Sequence, residues 1–274
     1  MKKVGLVSNN KYLNKISEDL TLKKALTNDG INAEIISWEY PNNNYYAYDC
    51  LIVRSVWGYH NNYPAFKKWL QFIKDMGIPI YNSTDIIQQN IRKDLQFDIL
   101  DRNGISHVDT IFQKGTIDYS MVGENKVIKP IISGGGDNTY KSDEVNLHNL
   151  ESIIKEEENG IMIQPYEKAI EKGEFSIIYI DGENTHNMIR FPGVLYKKAK
   201  PYEIKDIPNS IIELANQVKN IPEYKDVLYM RVDIIDEDNP KVMEVELTEP
   251  DLLTRNIVST EPIKKLSRGI RRRI

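Results

Sequence analysis

The sequence has a single cysteine, Cys50, in 274 residues. One cysteine excludes an intrachain disulfide and a zinc site built from cysteines. Cys50 lies in the segment Asp-Cys-Leu-Ile-Val, whose apolar character predicts a buried core thiol and not a nucleophile. A chain without disulfides suits a reducing compartment, so the sequence predicts a cytoplasmic protein.

Long hydrophobic runs and an excess of positive charge are also missing. No apolar run approaches the roughly 18 residues that a membrane-spanning helix needs, and the apolar stretch at the N-terminus is too short for a signal peptide. Lysine and arginine number 36 against 40 acidic residues, a net charge of −4 that argues against a general nucleic-acid-binding protein. The sequence therefore predicts a globular protein with neither nucleic acid nor membrane as a partner.

An alternation of strand and helix patterns occupies the first third of the chain. Apolar segments and terminator residues predict strands at Lys3–Ser8, Ile31–Trp38, Cys50–Arg54 and Ile78–Tyr81, and helices at Ser17–Asp29 and Pro64–Met76. Short strands alternating with helices indicate a small parallel α/β domain that ends near Asn90.

Arg54 ends the third of these strands and begins the segment Arg54–His60. Ligands bind to parallel sheets beyond the carboxyl ends of the strands, and an arginine that ends a hydrophobic strand is seldom needed for packing. We therefore expect Arg54 to pair with a substrate carboxylate, with Trp57 or Tyr59 covering the apolar part of that substrate. The structural alternative is an aromatic loop packed on the following helix.

A lysine within a predicted strand precedes a triple glycine. Lys129 lies in the strand Lys126–Ile132, and the loop that follows contains the glycines Gly134, Gly135 and Gly136. Flexible backbone N–H groups next to one point charge suit the binding of a phosphate. The loop is not a P-loop, because no Gly-Lys-Ser/Thr follows the glycines, and no Gly-x-Gly-x-x-Gly occurs in the chain. A plain hairpin turn is the alternative.

The remaining segments predict helices and hairpins. The predicted elements are a helix at Ile86–Asn103 that carries Lys93, a strand at Ser106–Phe112, a helix at Asn146–Glu158, a strand at Ile161–Tyr166, a hairpin of Glu174–Asp181 with Asn184–Phe191, a helix at Pro208–Val218 and a short closing helix at Thr260–Leu266. The arginine-rich segment Arg268–Arg273 is expected to be a solvated tail. The change from alternating units to hairpins after about Gly104 predicts separate lobes.

The stretch from Leu228 to Pro250 predicts a charged β-hairpin. Apolar residues alternate along both arms; they are Leu228, Met230, Val232 and Ile234 on the first arm and Met243, Val245 and Leu247 on the second. The polar residues from Asp236 to Pro240 form the predicted turn. Pairing Asp236 with Lys241 then sets the register of the whole hairpin.

This register brings charged residues together on the face away from the apolar set. Asp233 lies opposite Glu244, and Arg231 lies opposite Glu246. Opposed carboxylates repel each other, so a hard divalent cation is expected between them, with Arg231 meeting an anion such as phosphate. The repulsion also predicts that an amide in place of either opposed acid is neutral or mildly stabilising without nucleotide. A solvated hairpin face is the alternative.

Taken in order, these segments resemble the ATP-grasp carboxylate–amine ligases. The resemblance rests on Lys93 in its helix, Lys129 before the glycines, the connection Gln164–Tyr166, and the Arg-x-Asp and Glu-x-Glu pairs of the hairpin. The motifs Arg-Ser-x-Trp-x-Tyr-His, Gln-Pro-Tyr, Glu-x-Ser and Glu-x-Glu-Leu-x-Glu-Pro are similar to those of the branch that contains the D-cycloserine (O-ureido-serine) cyclo-ligase. A more distant similarity is to the ATP-binding domains of bacterial glutathione synthetases.

The resemblance implies an α/β (α+β) architecture of three domains: a preATP-grasp α/β domain at residues 1–90, a small lid domain at 91–165, and an antiparallel-sheet domain with the metal site at 166–274. It implies ATP and Mg²⁺ as cofactors. The implied ATP-binding residues are Lys93, Lys129, Gly134, Gly135, Gly136, Gln164, Pro165, Tyr166 and Glu174, the last near ribose or adenine. The implied Mg²⁺ ligands are Asp233, Glu244 and Glu246, and the implied catalytic residues are Arg231, Arg190 and Arg54.

The implied reaction activates a small carboxylate as an acyl phosphate, which an amine or similar nucleophile then attacks. Expected partners are ATP and small amino-acid-like substrates, and the sequence leaves a homodimer open. His60, Arg190 and Arg255 are candidates for the acceptor side. The alternatives are an ATP-grasp phosphotransferase and a nucleotide-binding regulatory module without turnover. Three clustered carboxylates favour an enzyme, because binding alone needs less metal chemistry.

Overall fold

The computed structural model describes residues 1–40, 43–115, 122–145, 159–191, 200–236 and 238–274. The described strands form three sheets, one parallel and two antiparallel, which confirms the mixed α/β architecture. In sequence, the sheets lie within 1–90, 91–165 and 166–274; these segments as separate domains stay a prediction. Within the described ranges, no helix has the length and hydropathy needed to cross a membrane.

The first sheet is parallel and largely buried. Its strands are β1 (Lys3–Ser8), β2 (Asn32–Ser37), β3 (Cys50–Val53) and β4 (Ile80–Tyr81), in the order β2-β1-β3-β4. Helices α1 (Ser17–Asn28) and α2 (Tyr63–Asp75) pack on its opposite faces, because consecutive strand residues point to opposite sides. Cys50 is fully buried in this core, and burial raises the pKa of its thiol to about 12. The predicted core thiol is confirmed.

The second sheet is antiparallel. Its strands are β5 (Ile111–Gln113), β6 (Lys126–Pro130), β7 (Tyr140–Lys141) and β8 (Ile161–Pro165), in the order β5-β8-β6-β7. The predicted strand Ser106–Phe112 is wrong at its beginning, because Ser106 and Val108 exchange backbone hydrogen bonds with Val242 of the charged hairpin. The predicted helix Asn146–Glu158 lies outside the described residues.

The third sheet is antiparallel and holds the charged hairpin. Its strands are β9 (Glu174–Ile180), β10 (Glu183–Arg190), β11 (Tyr202–Glu203), β12 (Tyr229–Ile235) and β13 (Lys241–Glu246), in the order β11-β10-β9-β12-β13. Helix α5 (Asn209–Lys219) covers one face, where Ile211, Leu214 and Val218 share a core with Met230 and Val232.

The predicted helix over residues 86–103 is interrupted. The segment instead forms two helices, α3 (Thr84–Ile91) and α4 (Lys93–Arg102). Arg92 between them is extended, with φ −89° and ψ 105°, although neither proline nor glycine marks the break. The backbone N–H of Lys93 instead donates to the Ile131 carbonyl at 3.2 Å. The tertiary contact therefore starts a new helix at Lys93 beside the end of β6.

The closing helix is longer than predicted. Helix α6 (Glu261–Arg271) continues beyond Leu266, so the predicted solvated tail is wrong. Ile270 is fully buried against α1, and Arg273 Nη1 donates to Asp181 Oδ1 at 2.6 Å. Both contacts join segments far apart in the chain, which a local charge pattern does not reveal.

Buried amides cover the outer edge of β13, the last strand of its sheet. Asn90 Nδ2 donates to the Val245 carbonyl at 2.6 Å, and Asn90 Oδ1 accepts from the Leu247 N–H at 2.9 Å. Gln96 makes a similar pair of bonds with Val245, at 2.7 and 3.0 Å. A strand edge left unpaired in a protein interior costs free energy. These bonds fix β13, and with it the hairpin acids, against α3 and α4.

Candidate active site

A cleft of ≈ 1070 Å³ is lined by residues of the two antiparallel sheets, of helix α4 and of loops in the N-terminal segment. The predicted site residues in its lining are Lys93, Lys129, Gly134, Gly135, Gly136, Gln164, Pro165, Tyr166, Glu174, Arg190, Arg231, Glu244 and Glu246. Asp233 lies directly beneath them, with 1% of its side chain exposed. Arg54 lies outside the cleft. The tertiary fold thus brings most of the predicted residues together.

The predicted register is confirmed at the charged residues of the hairpin. Asp233 pairs with Glu244, and Arg231 pairs with Glu246. One carboxylate oxygen from each of the three acids lies within 4.8 Å of the other two. Among the described residues, this is the only group of three or more His, Cys, Asp or Glu side chains that could hold a metal ion. Hard oxygen ligands are those that Mg²⁺ prefers, so the residues present fit the predicted metal.

A β-bulge changes the register toward the turn. Beyond Asp233, Ile234 pairs with Val242, and Ile235 pairs with Lys241, so the predicted pairing of residue 236 with Lys241 is wrong. Val242 is consequently fully buried in the core, whereas Met243, predicted on the apolar face, lines the cleft. A bulge adds one residue to one strand, and the alternation of side chains shifts with it.

Two arginines neutralise Asp233. Arg231 donates to both carboxylate oxygens at 2.9 to 3.2 Å, and Arg190 Nη2 donates to Oδ2 at 2.6 Å. Ser176, a neighbour on β9, donates to Oδ1 at 2.6 Å. Burial opposes ionisation of Asp233, but Arg190 and Arg231 outweigh it and lower the pKa to about 2. The repulsion expected from the sequence is therefore offset by protein cations.

The two glutamates of the cluster, Glu244 and Glu246, have pKa values shifted in opposite directions. Burial opposes ionisation of Glu244, but its ion pair with Lys93 lowers its pKa. Glu246 is 2.8 Å from Arg231 Nη2, a guanidinium that Asp233 also engages. Burial, only partly countered by Arg231, raises the pKa of Glu246 to about 7. Of the three acids of the cluster, Glu246 is thus the one whose charge costs most without a metal.

We expect this cost to appear as a pH dependence of stability. The folded protein holds a proton on Glu246 between pH 4.5, its ordinary pKa, and about 7. The stabilising contribution is complete below pH 4.5 and is lost as the pH rises through 7. Relative to Glu246→Gln, the parent should therefore lose on the order of 1 kcal/mol across this window. Urea unfolding at several pH values in EDTA measures this loss. If the free energy of unfolding changed equally with pH in the two proteins, the prediction would be contradicted.

The two lysines of the cleft have different surroundings. Lys93 is paired with Glu244, whereas Lys129 makes no ion pair with any described residue, although the charges of Glu244 and Lys93 act on it. Burial and the Lys93 charge lower the pKa of Lys129. An ammonium in a cleft without an anionic partner suits a ligand that brings its own negative charge.

The glycine loop contacts the N-terminal segment. His60 Nε2 and Asp137 Oδ2, an atom of the loop, are 3.0 Å apart. Gly135 and Gly136 have φ of +64° and +81°, a region that favours glycine. A Cβ atom on Gly134 would lie 3.1 Å from His60 Nδ1. Close approach and backbone conformation explain why three glycines occur here.

The connection after β8 forms another wall of the cleft. Gln164 is buried, and its Nε2 donates to Thr110 Oγ1 at 2.9 Å. The Tyr166 N–H donates to the Asn125 carbonyl at 2.7 Å, and Lys141 Nζ lies 4.6 Å from the centre of the Tyr166 ring. Glu174 lies deeper, with Oε2 at 2.8 Å from Arg190 Nη2. Burial raises the pKa of Glu174.

The position predicted for Arg54 is wrong. Its side chain is 2% exposed and lies under the loop that follows β13, where Nη2 donates to Glu18 Oε2 at 2.8 Å and Nε is 3.7 Å from Asp19 Oδ1. The guanidinium also lies 5.1 Å from the centre of the Tyr229 ring. Both acids belong to α1, and Glu18 lies 36 residues before Arg54 in the sequence. Arg54 therefore neutralises buried carboxylates instead of facing a substrate.

Replacing Arg54 by Met is expected to destabilise the protein by about 3 to 5 kcal/mol, because two buried carboxylates lose their cation. Urea unfolding measures this loss. Lys2→Ala is the matched control, since it removes an exposed ion pair with Asp49, worth at most about 1 kcal/mol. An Arg54→Met protein of parental stability would contradict the assignment.

Two contributors to the site, Ser176 and Glu249, occur in the quoted motifs Glu-x-Ser and Glu-x-Glu-Leu-x-Glu-Pro, but the sequence assigned them no role. Ser176 lies two residues after Glu174 on β9 and opposite Asp233 in the adjacent strand, so register could have identified it. Glu249 also lines the cleft, but it lies beyond β13, where no strand pattern indicates the direction of a side chain. Its position depends on the loop that Arg54 and Glu18 support.

Two family models match the chain. The D-cycloserine synthetase DcsG N-terminal domain matches residues 4–82, and the prokaryotic glutathione synthetase ATP-grasp domain matches residues 113–260. No curated protein matches the sequence. The family resemblance seen in the sequence motifs is thereby confirmed.

Solved structures share the fold along the whole chain. The crystal structure of D-cycloserine synthetase DcsG is 16% identical, with a TM-score of 0.83 and 99% of each chain covered. The D-alanine–D-alanine ligase from Bacillus anthracis complexed with ATP is 17% identical, with a TM-score of 0.69, covering 99% of this chain and 97% of that one. The ATP-grasp ligase PsnB complexed with minimal precursor, Mg and ADP is 14% identical, with a TM-score of 0.62 and 98% of each chain covered.

Proposed function

The chain belongs to the prokaryotic glutathione synthetase ATP-grasp domain family, whose model matches more than half of it, and on this basis we propose that it is an ATP-dependent ligase. The proposed reaction joins a small, amino-acid-like carboxylate to an amine or similar nucleophile through an amide-type bond. One observation carries the proposal. The cluster of Asp233, Glu244 and Glu246 shares a cleft with Lys129, an ammonium that has no ion-pair partner among the described residues. A solvated hairpin face would not place its acids there.

The cleft residues divide into groups with separate tasks. Lys129 and Lys93 bind ATP phosphates, the N–H groups of Gly134, Gly135 and Gly136 cover them, and the Gln164–Tyr166 segment receives the base. Asp233, Glu244 and Glu246 would hold Mg²⁺, which supplies positive charge against the phosphates. Arg231 and Arg190 face the same acids and stabilise charge on the transferred phosphoryl group.

The chemistry requires no covalent bond to the protein. A substrate carboxylate oxygen attacks the γ-phosphorus, and the bond to ADP breaks, which leaves an acyl phosphate. The nucleophile then attacks the carbonyl carbon and loses a proton, and inorganic phosphate leaves. The side chains contribute by positioning the reactants and by neutralising charge. The cytoplasmic location and a homodimer stay predictions.

A screen of ADP release tests the proposal. Purified protein with Mg·ATP is incubated with pairs of amino acids and small acids, and the products of active pairs are weighed by mass spectrometry. A ligase yields ADP, phosphate and a product equal to acid plus nucleophile less one water. Hydroxylamine in place of the nucleophile should trap the acyl phosphate as a hydroxamate. A phosphorylated product would indicate the phosphotransferase, and Mg·ATP binding without ADP release from any pair would indicate the regulatory module.

A further inference from the structure

The loop that follows β13 carries two acids into the cleft, and only one of them has a cation. Asp251 accepts from both terminal nitrogens of Arg255 at 2.7 Å. Glu249, two residues earlier, has no hydrogen bond or ion pair from its carboxylate within the described ranges. Both residues line the cleft. A partly desolvated carboxylate without a partner costs free energy, and a ligand that supplies positive charge removes this cost.

The backbone around Glu249 is held in place by three buried or half-buried side chains. Trp57 Nε1 donates to the Glu249 carbonyl at 3.0 Å. Arg54 Nη2 lies 3.4 Å from the Pro250 carbonyl, and Arg231 Nη1 donates to the Asp251 carbonyl at 3.1 Å. Three consecutive carbonyls are therefore fixed by donors from other elements. A recognition group is effective when its position is set before the ligand arrives.

An aromatic surface lies beside the Glu249 backbone. The Trp57 indole donates its N–H to the Glu249 backbone carbonyl, and its ring lines the cleft together with Tyr12. The two rings meet edge to face, with centroids 5.4 Å apart. Aromatic faces attract ammonium groups, so an indole and an unpaired carboxylate together favour a protonated amine.

Glu249 does not complete the metal cluster. The group of oxygens within 4.8 Å of one another comprises Asp233, Glu244 and Glu246 in the described chain, without Glu249. Glu249 nevertheless lies near enough to Glu246 for the two charges to interact: burial first, and Glu246 next, raise the pKa of Glu249 to about 8.

We propose that Glu249, with the Trp57 indole beside it, binds the α-ammonium group of the acid substrate, so that the carboxylate activated by the enzyme belongs to an amino acid. This inference rests on the proposed ligase function, because it places the substrate carboxylate beside the metal cluster. Glu249 is a specificity residue in this scheme: a bound ammonium stabilises its ionised form, so the proton that it holds at neutral pH in the free protein is released to solvent on binding.

Calorimetry without ATP tests the subsite independently of turnover. The twenty common amino acids, as both enantiomers, are compared at millimolar concentration with the matching acids that lack the amine. The parent should bind at least one amino acid, and the matching acid about 10- to 100-fold more weakly. Glu249→Gln should abolish this preference. Glu39→Gln, which removes an exposed acid from the rim of the same cleft, should keep it.

Kinetics with an active pair from the ADP-release screen give the second readout. Glu249→Gln should raise KM for the amino acid about 10- to 100-fold, leave KM for ATP and the Mg²⁺ requirement within about threefold, and lose discrimination against the acid without the amine. Trp57→Leu should weaken the preference in the same direction, which provides a second variant if Glu249→Gln does not fold.

The outcomes separate the inference from the proposed function. A parent that binds no amino acid, or binds both acids equally, overturns the inference, as does a Glu249→Gln protein with the parental preference. A higher Mg²⁺ requirement with the preference intact would make Glu249 a metal ligand and also overturns it. If the parent binds amino acids through Glu249 but releases no ADP with any pair, the ligase proposal fails and the ammonium subsite stands.

Discussion

Asp233→Asn and Glu244→Gln are expected to lower kcat by about 100- to 1000-fold, the range found when a group that stabilises developing charge is removed. Both acids belong to the three-carboxylate cluster that fits Mg²⁺. Their loss should also reduce the increase in Tm that Mg·ATP produces, because a ligand stabilises only the state it binds. Asp238→Asn, an exposed acid in the turn of the same hairpin, is the control and should behave as the parent.

Without nucleotide, the same two variants are expected to be destabilised. The sequence alone suggests a neutral or stabilising effect from relieved repulsion, but Asp233 neutralises Arg190 and Arg231, and Glu244 neutralises Lys93. Removing Glu244 takes the ion pair from Lys93, and removing Asp233 leaves Arg190 and Arg231 with one carboxylate each, Glu174 and Glu246, at a cost of about 1 to 3 kcal/mol. Thermal melting in EDTA measures this effect. Parental turnover together with the full nucleotide-induced shift in Tm would disprove the metal assignment.

Lys129→Ala is expected to weaken Mg·ATP binding by about 30- to 100-fold, corresponding to the loss of a charge-assisted hydrogen bond. The stability of the free protein should stay the same or rise slightly, because burial disfavours this ammonium and no described residue forms an ion pair with it. Isothermal calorimetry gives the Kd, and urea unfolding gives the stability.

Lys126→Ala is the matched control for this substitution. Lys126 lies on the same strand, β6, but three residues away, and it does not line the cleft, whereas Val127 and Lys129 do. We expect Lys126→Ala to bind Mg·ATP as the parent does. Equal Kd values for Lys129→Ala and the parent would remove Lys129 from the phosphate site.

The sequence determined the elements whose pattern is local. A buried apolar segment set the strand Lys3–Ser8 at its observed bounds, and period-two alternation placed Asp233 opposite Glu244 in the charged hairpin. Both patterns are local in the sequence, and in the hairpin side chains alternate along each strand while a short turn sets the pairing. The order of Lys93, Lys129 before the glycines, the Gln164–Tyr166 connection and the charged pairs of the hairpin similarly indicated the family.

The tertiary structure decided which charges meet. Glu244 pairs with Lys93 across 151 residues, and Arg54 with Glu18 across 36. No periodicity within a segment encodes such pairs, because they depend on how separate elements pack. The sequence therefore identified Arg54 as unusual but assigned it to a substrate, when the packing of α1 gives it two carboxylates.

Departures from regular geometry also required the structure. The bulge after Asp233 moves Met243 from the core face to the cleft, and the contact between Lys93 and Ile131 interrupts a helix that has no breaker residue. Each departure stabilises a contact with another element at the cost of local regularity. Residue type and spacing thus determined which chemistry the chain carries, and tertiary packing alone determined which of its charged groups are left unpaired to receive a ligand.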